Sequence, residues 1–267
     1  MVLPTFYLPE KFQIVDEFVN FHNPDLMPVD ALTIAMTVLS GLCWTIAYIL
    51  IIYKGFRDKT AGMPLMVLGM NLAWEFLFAF VWHMQTKAQI IVNVIWFLFD
   101  CVIVYLKFKY GKDEFHAALP GMSDKWFYPY LITIMFWSFV LVWSCRFEFN
   151  DLQGAYAAYI QNIFISSLYI PMLFRKGSTA GQSMYIAIFK CIGTLAPDVC
   201  GAYAMVMAFQ KLTGCSVWEA FCGALTITWH PLLKFLILGC LFFDIIYMVC
   251  LYKKFKEEGK NPWSIKA

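Results

Sequence analysis

The chain has 267 residues, of which 61% are apolar and only 14% charged, with a mean hydropathy of +0.65. A soluble domain is nearer half apolar, with about a quarter of its residues charged, so this composition excludes a soluble globule. The net charge of +2, with basic residues scattered rather than grouped, excludes a nucleic-acid-binding stripe.

Residues 1–30 form an acidic segment without a basic leader, so a cleavable signal peptide is not expected and a lumenal or external cap is. A helix needs about 20 apolar residues to cross the hydrocarbon core. Seven runs meet that length: 31–53, 63–82, 88–106, 126–145, 156–174, 184–209 and 235–252. The predicted fold is therefore an all-α membrane protein of seven transmembrane helices spanning 31–252, followed by a basic cytosolic tail at 253–267. The stretch 215–228 is shorter, carries Glu219 and reads as interfacial or re-entrant. Cys215 and Cys222 lie there. Seven residues apart on a helix they are about 10 Å apart along the axis, too far for a bridge. The other seven cysteines lie in apolar runs.

Lysine and arginine set the direction. One set of loops holds Lys54, Arg57, Lys59, Lys107, Lys109, Lys112, Lys125, Arg175, Lys176, Lys253, Lys254, Lys256, Lys260 and Lys266. These fourteen face only five on the other side: Lys11, Lys87, Arg146, Lys211 and Lys234. The bias alternates loop by loop. It predicts an external or lumenal N-terminus and a cytosolic C-terminus.

The loop after the first span contains Thr60-Ala61-Gly62, and the loop after the fifth contains Thr179-Ala180-Gly181. This points to two parallel three-helix units, spans one to three and five to seven, joined by span four. The same three residues also follow from turn chemistry alone, with glycine closing a helix.

Ionisable groups inside a span are costly and mark function by default. Four acids qualify, Glu75, Asp100, Asp198 and Asp244, with Lys190 as the single mid-span base. Asn71 shares a helical face with Glu75, and Tyr247 shares one with Asp244. Asp100 continues a face with Asn93, Trp96 and Phe97. Asp198 follows Pro197, where a helix break or an ion pair with Lys190 accounts for it better than catalysis does. Glu75 and Asp244 have no base near them in sequence. A neutral, buried carboxylic acid is a proton donor, and aromatic walls stabilise cations. Asn71, Trp96, Phe97, Asp100 and Tyr247 are the expected lining, with Trp74 pointing away from Glu75. The bland alternative is that these rings fill space between helices.

These residues carry a resemblance. Ala61-Gly62-Met63-Pro64-Leu65, Asn71-Leu72-Ala73-Trp74-Glu75 and Asp244-Ile245-Ile246-Tyr247 are similar to motifs of the small membrane-bound terpene cyclases of fungal meroterpenoid and indole-diterpene pathways. The loop 177–185 resembles the family's as well. The resemblance implies Glu75 and Asp244 as the essential acids, facing one another across a shared cavity, with Asp100 and Asp198 outside that pair. It implies protonation of a prenyl chain bearing a terminal epoxide, cyclisation through a cation cascade, and an endoplasmic-reticulum address in a eukaryote. No cofactor is implied, and no acids stand at metal-ligand spacing, so no metal is expected. A seven-helix transporter of the SWEET type explains the spans and the repeat equally well. It does not need two isolated mid-span acids. A retinal pigment needs a Schiff-base lysine in the last span, and 235–252 has none.

Overall fold

The computed structural model describes residues 30–82, 85–149, 151–152, 154–225 and 231–265, and every regular element among them is helical. Helix α1 (Ala31–Asp58) starts at a capping box. Asp30 Oδ1 accepts the Thr33 N–H at 2.9 Å, and Thr33 Oγ1 accepts the Asp30 N–H at 3.1 Å. Helix α2 (Leu65–Phe76) begins behind Pro64 and passes into a wider π turn at Leu77–Val81. Then follow α3 (Lys87–Tyr110), the short α4 (Lys112–Ala118), α5 (Phe127–Glu148), α6 (Ala155–Lys176), α7 (Met184–Thr213), the short α8 (Val217–Leu225) and α9 (Pro231–Glu257).

Among the described residues, six helices are long and apolar enough to cross a membrane: α1, α3, α5, α6, α7 and α9. Their outward faces carry large apolar side chains. Ile132, Phe136, Trp137, Leu238 and Phe242 are all more than half exposed, as lipid contact requires and water would penalise. The expected second span is shorter than its apolar run. Leu65–Val81 is a 17-residue helix, about 25 Å long at 1.5 Å per residue, because Pro64 blocks an earlier start. It is also the most enclosed element. Val67, Leu68, Met70 and Leu77 are fully buried, since α3, α5 and α6 pack around it.

Other boundaries move too. Helix α9 starts at Pro231, so Lys234 is helical rather than in a loop, and it runs on to Glu257 through the first basic residues of the tail. The 215–228 stretch forms α8, with 226–228 outside the described residues. The acidic segment lies outside them as well, except Asp30, which also accepts a hydrogen bond from the Tyr203 hydroxyl at 2.6 Å.

The two matching loops dock against each other. Lys176 Nζ donates to Thr60 Oγ1 at 2.9 Å and to Ala61 O at 2.6 Å. Gln182 Nε2 donates to Gly62 O at 2.8 Å, and the Gly181 N–H to Asp58 Oδ2 at 2.8 Å. The approach is backbone on backbone, which explains both glycines. A Cβ on Gly62 meets Gly181 O at 2.9 Å, and Gly181 has φ +76°. Glu258 closes the seam from the C-terminal side, accepting from the Thr179 N–H and hydroxyl and pairing with Lys260 at 2.7 Å. Burial alone raises its pKa. The Lys260 ammonium and the two Thr179 donors outweigh that and hold it down at about 2.

Candidate active site

Glu75 sits two residues before the π winding and is 3% exposed. The Tyr48 hydroxyl of α1 donates to Glu75 Oε1 at 2.6 Å, and Asn71 Nδ2 donates to that same hydroxyl oxygen at 2.9 Å. Asn71 lies one turn before Glu75, so the helix period brings both to Tyr48. From α3 comes Asp100, which is 0% exposed. Its carboxyl is within hydrogen-bond reach of Glu75. Trp96, one turn earlier, packs on Tyr48 with ring centroids 6.0 Å apart and donates from Nε1 to Thr45 Oγ1 at 3.0 Å.

Asp244 lies elsewhere. It is 3% exposed on α9, and Lys190 Nζ of α7 forms an ion pair and hydrogen bond with its Oδ1. Lys190 also donates to Ser166 Oγ of α6. Asp244 is thus not the unpaired acid that its own sequence surroundings imply. Its counter-charge comes from a helix 54 residues away. Lys190 pairs with Asp244 rather than with Asp198, whose partner is the Tyr159 hydroxyl.

The two clusters occupy equivalent places. Tyr48 is ten residues before the end of α1, and Ser166 ten before the end of α6. Asn71 is six residues into α2, and Lys190 six into α7. Asp100 is thirteen residues into α3, and Asp244 thirteen into α9. Each triad combines the first, second and third helix of a set of three. The helix pairs match in the same way. Helix α1 packs on α3 as α6 packs on α9, α2 on α3 as α7 on α9, and α1 on α7 as α6 on α2.

A cavity of about 20 Å³ lies between α1, α6, α7 and α9, enough for roughly one water. Trp44, Tyr169 and Tyr247 give it aromatic walls, and Ser166, Lys190 and Asp244 a polar end. The Tyr169 and Tyr247 rings are 5.3 Å apart, and the Tyr247 hydroxyl donates to Gln182 Oε1 at 2.6 Å. Tyr247 therefore borders the cavity, while Trp96 and Phe97 stand outside its wall. Phe97 packs on Phe76 and Phe80 at 6.0 and 5.4 Å, next to exposed rings. Glu75 does not border the cavity either, and α2 and α9 are not a closely packed pair. Tyr48 holds Glu75, and Tyr169 lines the cavity beside Asp244. Trp74 turns away from Glu75 and donates to Gly154 O at 3.0 Å, as its place on the helix predicts.

Tyr48, Ser166 and Tyr169 escaped the sequence reading because a buried hydroxyl looks like any other core residue there. The usable signal was positional: counting from the helix ends places Tyr48 and Ser166 at the same level. Among the described residues, no group of three or more His, Cys, Asp or Glu gathers to hold a metal ion.

Residues 20–258 match the family described as Pyr4-like transmembrane terpene cyclases. The Pyr4-family terpene cyclase mfmH of Annulohypoxylon moriforme is 34% identical over 196 residues, covering 68% of this chain and 78% of its own. Terpene cyclase pyr4 of Aspergillus fumigatus is 24% identical over 225 residues, 83% of this chain and 86% of its own. Terpene cyclase andB of Emericella variicolor is 26% identical over 233 residues, 85% and 91% respectively. No solved structure matches the chain. With a family match that spans most of its length and a bundle of lipid-exposed apolar helices, this integral membrane protein belongs to the Pyr4-like transmembrane terpene cyclases.

Proposed function

We propose that the enzyme protonates the terminal epoxide of a prenylated aromatic or indole precursor and directs the resulting cation through successive ring closures. The observation that carries this reading is Glu75. It is a buried carboxyl held by the Tyr48 hydroxyl; among the described residues it has no cationic partner, and its Oε2 receives no hydrogen bond. An acid in such surroundings stays neutral, because ionising it there costs several kcal/mol, and it is free to give its proton to a substrate oxygen. The epoxide C–O bond breaks, the ring oxygen becomes a hydroxyl, and neighbouring alkenes attack the tertiary cation in turn. Loss of a proton from the last cation ends the cascade. The step is an isomerisation without electron transfer, so it calls for no redox cofactor.

Asp244 has the complementary task. Its carboxylate, already charge-paired, lies on an aromatic cavity where it opposes positive charge as the cation migrates, with Tyr169 and Tyr247 offering π faces. The cavity is far too small for a prenyl chain. Substrate must therefore part α1 from α6 and α9, or swing Tyr48 and Tyr169, which would join the Glu75 side to the Asp244 side. The test is full-length protein in microsomes given an epoxidised, prenylated aromatic precursor, with products read by mass spectrometry. Cyclic isomers of the substrate are expected. Recovery of unchanged epoxide, alongside solute uptake by liposomes carrying the protein, would favour a transporter instead.

The membrane arrangement belongs to the same reading. Helix α2 with its π turn serves as a seventh span, tolerated at about 25 Å because its neighbours shield it from lipid. Trp82 at its end, with the Arg146 guanidinium 4.7 Å above its ring, marks the interface away from the docked loops. Spans one to three and five to seven form two parallel units joined by α5, supported by the matched triads. The C-terminus lies in the cytosol and the bilayer is that of the endoplasmic reticulum. A reporter fused after Ala267 is expected on the cytosolic side, and a tag before Met1 on the lumenal side. Both on one side would refute the seventh span.

A further inference from the structure

Three buried carboxyl oxygens, Glu75 Oε2, Asp100 Oδ1 and Asp100 Oδ2, receive no hydrogen bond from any described protein group. They belong to two side chains from neighbouring helices, 3% and 0% exposed, within hydrogen-bond reach of each other. Ionised carboxylates only accept, so two of them cannot bond to one another. Like charges at that separation in a dry interior cannot both persist. The contact is satisfied when protons sit between the groups. The matching position in the other half carries a counter-charge. There Asp244 meets Lys190, whereas the residue matching Lys190 here is Asn71, which is neutral. No lysine, arginine or histidine neutralises the Glu75–Asp100 pair among its described neighbours, so protons must do so.

We infer that Asp100 is a positioning residue for the proton donor: as a neutral acid it donates a hydrogen bond to Glu75 and holds the charge left there when the proton passes to substrate. This rests on the proposed role of Glu75. The Glu75 O–H bond breaks as the substrate O–H bond forms and the epoxide C–O bond opens. The Glu75 carboxylate is then held by two donors, the Tyr48 hydroxyl and the Asp100 O–H. The proton lost from the final cation restores Glu75, so charge and atoms balance over one turnover. An acid whose conjugate base is stabilised in advance is a stronger acid without exposure to water.

The test uses full-length protein in lipid nanodiscs and two variants. Asp100→Leu removes the donor and is expected to lower kcat roughly ten- to hundredfold, the loss of a hydrogen bond to a charged group, with KM unchanged. Asp100→Asn keeps a donor of the same shape and is expected to recover most of that rate. Infrared spectra supply a readout that does not depend on turnover or on the Leu variant folding. The wild type should show two protonated-carboxyl bands sensitive to deuterium exchange. Asp100→Asn should remove one of them and shift the other, and Glu75→Gln should remove the other. A wild-type kcat in Asp100→Leu, or a Glu75 band unmoved by Asp100→Asn, would overturn the inference. Absence of any cyclisation by the wild type would instead count against the proposed function, leaving the infrared result to stand by itself.

Discussion

Glu75→Gln is expected to reduce cyclisation by at least roughly 10²–10⁴-fold, the usual worth of a positioned general acid, with little change in the amount of folded protein. The reasoning is local. Glutamine keeps the length, the shape and the carbonyl oxygen that accepts from Tyr48 at 2.6 Å, and its amide can donate to Asp100. Buried polar pairing is therefore preserved, and no uncompensated charge is created. What disappears is the acidic proton. Glu75→Asp is expected to be damaging too, because shortening the side chain by one methylene withdraws it from the Tyr48 hydroxyl and from substrate. The measurement is product formed per unit of protein in the same microsomes, with thermal stability measured in parallel. Turnover near wild type in Glu75→Gln would remove Glu75 from the chemistry and move attention to Asp100, the other buried acid on the neighbouring helix α3.

The helical class and most span positions were legible because lipid demands long apolar helices, and that demand is written in composition alone. Helix α2 was misjudged in length. The apolar run continues across Met63, but Pro64 disfavours helical backbone at the residue before it and the helix begins after it. The acids themselves were legible because a charge in hydrocarbon is rare whatever surrounds it. Their partners were not. Nothing local to Asp244 announces Lys190, and nothing local to Glu75 announces Tyr48 or Asp100, since helix packing decides who meets whom. The expected Glu75–Asp244 pairing across one cavity follows from treating two essential acids as one site. The helix order instead gives each acid its own three-helix cluster. The repeated Thr-Ala-Gly was the one trace of this in the sequence, and its residues form the seam where the loops dock.

Removing one partner of the Lys190–Asp244 pair is expected to act on stability and on chemistry at once, and the two effects separate in a double variant. Lys190 is 7% exposed and Asp244 3%. Breaking a buried pair from one side strands a charge and typically costs about 3–5 kcal/mol. Asp244→Asn and Lys190→Met should each lower the melting temperature and the yield of folded protein, so loss of product in either single variant is ambiguous. Lys190→Met combined with Asp244→Asn leaves no stranded charge. Replacing a buried pair by neutral groups of similar volume is often neutral for stability, so melting temperature and yield should return close to wild type. Full cyclisation should not return, because the carboxylate proposed to oppose the migrating cation is still missing from the cavity beside Tyr169 and Tyr247. Products released early, with fewer rings closed, are expected in place of the full cycle. Recovery of normal product together with stability would make the pair a structural device, and Glu75 with Asp100 would then hold the whole of the acid–base chemistry.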